Sequence, residues 1–154
     1  MIIEQGTIRD HGRQCGYIVE DYFTRTIASQ GMVPLNFKWN MYEALENAKA
    51  CKLFIAHYAW GQMAYGLIHG FALYIVQPHL HHDNQVVAQC DMIGVRPESR
   101  NRGIGKSLIE HAIETLRNDG VTHMVHHHRV IYDTEPLFSK MGFKLVELGY
   151  VKEL

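Results

Sequence analysis

Cysteine is scarce and scattered in this chain of 154 residues: Cys15, Cys51 and Cys90 are odd in number and far apart. That spacing excludes a disulfide framework and reads as reduced thiols of a cytoplasmic protein. Neither charge sign is in excess, since 15 Lys+Arg against 16 Asp+Glu leave a formal net charge of −1. A dedicated nucleic-acid module is usually basic overall, so no nucleic-acid partner is expected, although a local basic patch is allowed. No run of about 18 apolar residues occurs, which argues against a membrane span. The opening Met1-Ile2-Ile3-Glu4 lacks the basic-then-apolar order of a secretory signal. Repeats, low-complexity tracts and linkers are missing as well, so residues 1–154 are expected to form one domain. What is present is a globular composition, 47% hydrophobic and 20% charged, and the unusual count of 11 histidines.

The first 16 residues are hard to read. Ile2-Ile3 suit a short strand, and Gly6, Gly12 and Gly16 weaken any long helix there. Apolar spacing predicts a helix over 17–30, stopped at Gly31. A second helix is expected from Asn40, with Glu43 three residues on as in a capping box and Met41, Leu45 and Ala48 as its buried stripe. Residues 52–58 and 63–76 are rich in β-branched and aromatic residues and flank Trp60-Gly61-Gln62, which predicts a hairpin. A polar loop over 77–84, a strand over 85–95 and a basic loop over 97–102 come next. Residues 103–118 give the clearest helix, with Ile104, Leu108, Ile109, Ala112, Ile113 and Leu116 on one face. A strand over 121–127, a short helix over 135–141 ended by Gly142 and a last strand over 143–151 complete a mixed α/β order.

The most specific segment joins the 85–95 strand to the 103–118 helix. The first amides of a helix have no intrahelical partner and carry the positive end of its dipole. Gly103 and Gly105 remove side chains that would keep a bulky anion away, and Arg96, Arg100, Arg102 and Lys106 add charge. This is a cradle for a phosphate or pyrophosphate. It lacks both GxxxxGK[ST] and GxGxxG, and an ordinary connection with surface arginines has the same spacing.

Arg100-x-x-Gly103-x-Gly105, with Val95-x-Pro97 before it and Leu108 after it, resembles the R/Q-x-x-G-x-G/A pattern of the GNAT superfamily of acyl-CoA-dependent N-acyltransferases. Phe138-Ser139-Lys140-Met141-Gly142-Phe143 is similar to the family's Y-E-K-L-G-F block. Element order agrees over roughly residues 40–154. The resemblance implies an α/β fold with a mixed, mostly antiparallel central sheet flanked by helices, and a strand pair splayed for acyl-CoA. It implies acetyl-CoA as cosubstrate, with the backbone of Ile93, Gly94 and Val95 on pantetheine. Arg100, Asn101, Arg102, Gly103, Ile104, Gly105, Lys106 and Ser107 would hold the pyrophosphate. Gly94 suits the bulge that splays this strand from its neighbour.

The implied reaction moves an acetyl group from acetyl-CoA directly to a primary amine of a small molecule or a protein. A lysine-like amine must first lose a proton, at a cost of about 4–5 kcal/mol near pH 7. Asp91 is the candidate base, read as sharing a strand face with Ile93 and Val95; a plain carboxylate paired with Arg or His is the other reading. Phe138 stands where the family has the tyrosine that protonates the leaving thiolate, and it also falls in the cofactor-binding block. Phenylalanine donates no proton, so Tyr132 is the substitute acid, with a packing aromatic as its other reading and Ser139 and Tyr150 behind it. Ile131 replaces the family's usual Asn. The missing tyrosine also keeps open a catalytically weak acyl-CoA-binding or interaction protein. The histidines fall in two groups, His79, His81 and His82 in one loop and His123, His126, His127 and His128 about one strand. Neither has a recognised metal spacing, so no metal is expected; the strand histidines suit the wall of an acceptor cleft. A homodimer is compatible with all of this.

Overall fold

The structure is a computed structural model that describes residues 1–26, 36–58, 66–127, 134–147 and 152. Among the described residues, five strands form one sheet in the order β1 (Ile2–Gly6), β2 (Cys51–His57), β3 (Ile68–Pro78), β4 (Val86–Val95) and β5 (His123–His126). The first three pairings are antiparallel and β4–β5 is parallel. The parallel step needs a crossover, which α3 (Ile104–Asn118) supplies. Helices α1 (Ile8–Thr26), α2 (Trp39–Asn47) and α4 (Glu135–Lys140) and a short 3-10 turn over Pro97–Ser99 complete the described elements. None of these helices is long and apolar enough to cross a membrane.

Strand alternation divides the core between the two faces of the sheet. Phe54, Ala56, Ala72, Tyr74, Ala88 and Cys90 meet Ile104, Leu108, Ala112 and Leu116 of α3. Cys51, Leu53, Ile55, Phe71 and Leu73 meet Ile8, Cys15 and Ile18 of α1 on the opposite face. The three cysteines are buried and free, and burial pushes each thiol up to about 12.

Several expectations need correction. The first helix begins at Ile8, nine residues before the expected 17, because Thr7 starts it. The Asp10 amide donates to Thr7 Oγ1 at 3.2 Å, and Thr7 Oγ1 donates to Asp10 Oδ2 at 2.7 Å. Gly12 and Gly16 do not break this helix; they admit Trp39. A Cβ on Gly12 would lie 3.1 Å from Trp39 Cε3, and one on Gly16 3.3 Å from Trp39 Cζ2. The α2 capping box does not form, since Lys38 is the N-cap without a side-chain bond and Glu43 instead pairs with Arg9 at 2.9 Å. Its expected stripe faces outward, with Met41 56% and Leu45 37% exposed; Trp39 and Tyr42 pack inward instead. Residues 143–147 carry no strand. The Gly31 stop, the Trp60-Gly61-Gln62 turn, His128, Ile131, Tyr132 and Tyr150 lie outside the described residues.

Candidate active site

The site begins where two strands part. The parallel ladder runs from Val87 opposite His123 to Cys90 opposite His126 and stops there. On its other edge β4 stays paired with β3 as far as Val95, opposite Gly70. Among the described residues, the edge of β4 from Asp91 to Val95 has no ladder partner on this side, over about 16 Å at about 3.3 Å per residue.

Next to the end of that ladder, β4 is irregular at Asp91. Leu73 pairs with Met92 and Tyr74 with Cys90, so Asp91 is an extra residue in β4. Gly94, expected to form the bulge, sits in regular register opposite Phe71. Its glycine serves packing, because a Cβ there would lie 2.8 Å from Ile18 Cγ2 and 3.1 Å from Phe71 Cε1. The extra residue also changes strand parity. Ala88 and Cys90 belong to the α3 face, whereas Met92 packs on the α1 face and Val95 on the α3 face. Asp91 therefore does not share a face with Ile93 and Val95. It faces α2, where the Tyr42 hydroxyl donates to its Oδ2 at 2.8 Å. Burial and this bond to a carboxylate hold the Tyr42 phenol protonated, above its usual range.

At the far end of the free edge, Gly103 caps α3 with φ +77°, a left-handed turn that suits glycine. The Ser107 amide donates to Gly103 O at 3.0 Å. The amides of Ile104, Gly105 and Lys106 precede that first bond and have no intrahelical acceptor. A Cβ on Gly103 would meet nothing within 4 Å, and one on Gly105 only Val95 Cγ2 at 3.8 Å, so the space over this helix end is open. Ile104 itself points into the core, 2% exposed, and offers the site only its backbone.

The cations divide between anchoring and exposure. Arg96 is structural: its Nε donates to Ile68 O at 2.6 Å and its amide to His69 O at 2.9 Å. Arg100 Nε donates to Val95 O at 3.2 Å while its guanidinium lies 3.6 Å from Asp21 of α1. Lys106 pairs with Glu110 at 2.5 Å on the helix surface, and Asn101 and Arg102 are exposed. Sequence reasoning passed over the support beneath this loop. His69 is the extra residue of a second irregularity, in β3, and its Nδ1 lies 2.8 Å from the buried Ser99 Oγ. Burial, then the Arg96 and Arg102 charges, lower the His69 pKa.

At the parting point His126 closes β5. Its Nε2 lies 3.0 Å from the Tyr74 hydroxyl, and its ring packs on Phe138 of α4 at 5.1 Å and on Phe143 at 5.2 Å. Burial, with the neighbouring His127, brings its pKa down to about 4, so the ring is neutral near pH 7. Phe138 thus lies beside the last paired residue of β5. Among the described residues no group of three or more His, Cys, Asp or Glu is placed to hold a metal. A cavity of about 250 Å³ near Leu116, His123 and Phe143 lies toward the other end of α3, away from the free amides.

A carboxylate beside the end of the β4–β5 ladder, a strand edge with no ladder partner among the described residues and an open helix N-terminus thus follow one another along the chain. Comparison with known proteins gives the chain a family. No curated protein sequence matches the chain. Solved structures match over nearly its whole length. An acetyltransferase from Trypanosoma brucei is 19% identical, with 99% of each chain covered and a TM-score of 0.70. A ribosomal-protein-alanine N-acetyltransferase from Brucella melitensis is 20% identical, with 100% of each chain covered and a TM-score of 0.68. An aminoglycoside acetyltransferase from an uncultured soil metagenomic sample, in complex with sisomicin, is 16% identical, with 99% of this chain and 96% of that one covered and a TM-score of 0.69. These likenesses concern the fold. The model of the acetyltransferase (GNAT) domain matches residues 49–145, more than half of the sequence, and the chain belongs to the GNAT acetyltransferase family.

Proposed function

We propose that the chain works as one domain that transfers the acetyl group of acetyl-CoA directly to a primary amine. One observation supports the reading: among the described residues the β4–β5 ladder ends at Cys90 and His126, and β4 runs on from there to a helix N-terminus with no side-chain cap. The arrangement fits acetyl-CoA. An extended arm can lie along Ile93, Gly94 and Val95, and a pyrophosphate can meet the amides of Ile104, Gly105 and Lys106. The open space over Gly103 and Gly105 admits its oxygens, while Arg100, Asn101, Arg102, Lys106 and Ser107 surround it. Phe138 supplies apolar contact near the thioester end.

When bound, acetyl-CoA supplies an activated acyl group on sulfur. Asp91, beside the end of the β4–β5 ladder, takes a proton from the acceptor ammonium and releases it to water. The nitrogen lone pair forms the C–N bond as the C–S pair departs on sulfur, which collects the second amine proton. A free thiol has a pKa of about 8.5, so its thiolate leaves tolerably well without the tyrosine that Phe138 replaces. Tyr132 remains the candidate donor for that second proton.

The test measures acetyl-CoA affinity and thioester turnover with a panel of amines. The panel holds a peptide with an N-terminal alanine, sisomicin, spermidine and a lysine peptide, because the solved relatives are described with a ribosomal-protein alanine and an aminoglycoside. Gly105→Glu is expected to stay folded and lose acetyl-CoA binding by steric and charge conflict with the phosphates. Normal affinity in that folded variant rules out the cradle. Tight binding by the wild type with no turnover on any amine favours the acyl-CoA-binding protein instead, the reading that Phe138 supports.

A further inference from the structure

Asp91, the extra residue of β4, presents its carboxylate to a group on another element. Tyr42 reaches it from α2 at 2.8 Å, across 49 positions of sequence. This tyrosine is held from behind. Its ring lies 5.6 Å from Trp39, tilted by 43°, and Trp39 stacks on Phe37 at 4.9 Å. Trp39 is seated in the notch left by Gly12 and Gly16 on α1. The hydroxyl is therefore positioned by a wedge between two helices.

We propose that Tyr42 is the positioning residue for Asp91 in the acyl-transfer site, an inference that rests on the function proposed above. A carboxylate on a strand turns freely about its last side-chain bond unless one oxygen is held. Tyr42 O–H donates to Oδ2 and fixes the plane of the group. Oδ1 is then left to take the proton of the incoming amine, while Tyr42 keeps its own proton and changes no charge in the step.

The experiment uses the full chain, acetyl-CoA and whichever amine of the panel turns over fastest. Tyr42→Phe removes one oxygen and keeps the ring stack. It is expected to lower kcat about 3–10-fold and leave the KM for acetyl-CoA within about twofold, since proton transfer by a positioned base contributes about 10²–10⁴-fold and only its alignment is lost. Asp91→Asn lowers kcat further, and adding Tyr42→Phe to it changes kcat by less than about 1.5-fold, because the two residues act as a unit. If Tyr42→Phe keeps full kcat, or costs as much beside Asp91→Asn as it does alone, the assignment of Tyr42 is wrong while the transferase reading stands. If the wild type binds acetyl-CoA and acetylates no amine, the transferase reading falls and this inference falls with it.

Discussion

At the scale of single residues, His126 shows how burial becomes a measurable property. Its ring is enclosed by Tyr74, Phe138 and Phe143, and its pKa falls from 6.5 to about 4. The unfolded chain therefore takes up this proton first as pH is lowered. Between about pH 6.5 and pH 4 the unfolded state binds more protons, so stability falls with falling pH and levels off below about 4. The loss from this residue should reach about 2–3 kcal/mol, at 1.36 kcal/mol per pKa unit with allowance for partial exposure. His126→Gln, which cannot titrate but can still bond Tyr74, is expected to flatten that part of the stability profile. Urea titrations of both proteins at several pH values measure it, and parallel profiles would show that His126 titrates normally in the fold.

Among the elements, α1 is the one that local sequence described least well. Its glycines count against a helix when taken alone, and they become favourable once Trp39 fills the space they leave. Its N-terminus is held from afar, since the Ile8 amide donates to Glu46 Oε1 at 3.1 Å and Oε2 at 3.0 Å. A carboxylate at a helix N-terminus meets both an orphan donor and the positive end of the dipole. Glu46→Ala should cost about 1–2 kcal/mol, read as a lower denaturation midpoint with an unchanged m-value. An unaltered midpoint would mean that water replaces the carboxylate without loss. Because α2 also carries Tyr42, this cap helps to hold the helix that steadies Asp91.

For the whole molecule, a net charge of −1 conceals a local basic field. Arg100, Arg102 and Lys106 cluster at the start of α3, with Arg102 exposed and Arg100 braced by Val95 O and Asp21. Acetyl-CoA affinity should fall as salt rises from about 0.05 M to about 0.3 M, because exposed charges are screened over about 8–10 Å near physiological ionic strength. Arg102→Ala should weaken binding and flatten the salt dependence more than Arg100→Ala, whose guanidinium is partly engaged inside the protein. Calorimetric titration at several salt concentrations checks this. An unchanged slope in Arg102→Ala would place that side chain away from the phosphates.

The sequence by itself determined the pieces whose cause is local. Apolar periodicity set α3, β-branched and aromatic content set β2 and β3, and Gly103 and Gly142, at φ +77° and +84°, mark the start of α3 and the stop after α4 where a left-handed residue is required. The cradle was readable for the same reason, since glycines, basic residues and a helix start are neighbours in the chain. The tertiary structure decided what depends on distant partners. The start of α1 has a local cap in Thr7 but also rests on Glu46 and Trp39, which no window around Ile8 contains. The face of α2 was misread because Met41 and Leu45 match helical spacing as well as Trp39 and Tyr42 do, and only contact with α1 and the sheet chooses between them. Asp91 could be named as a carboxylate near the strand end. That it does not share a face with Ile93 and Val95 turned on one extra residue, and a bulge leaves little trace in composition because it is fixed by the register of β3 against β4.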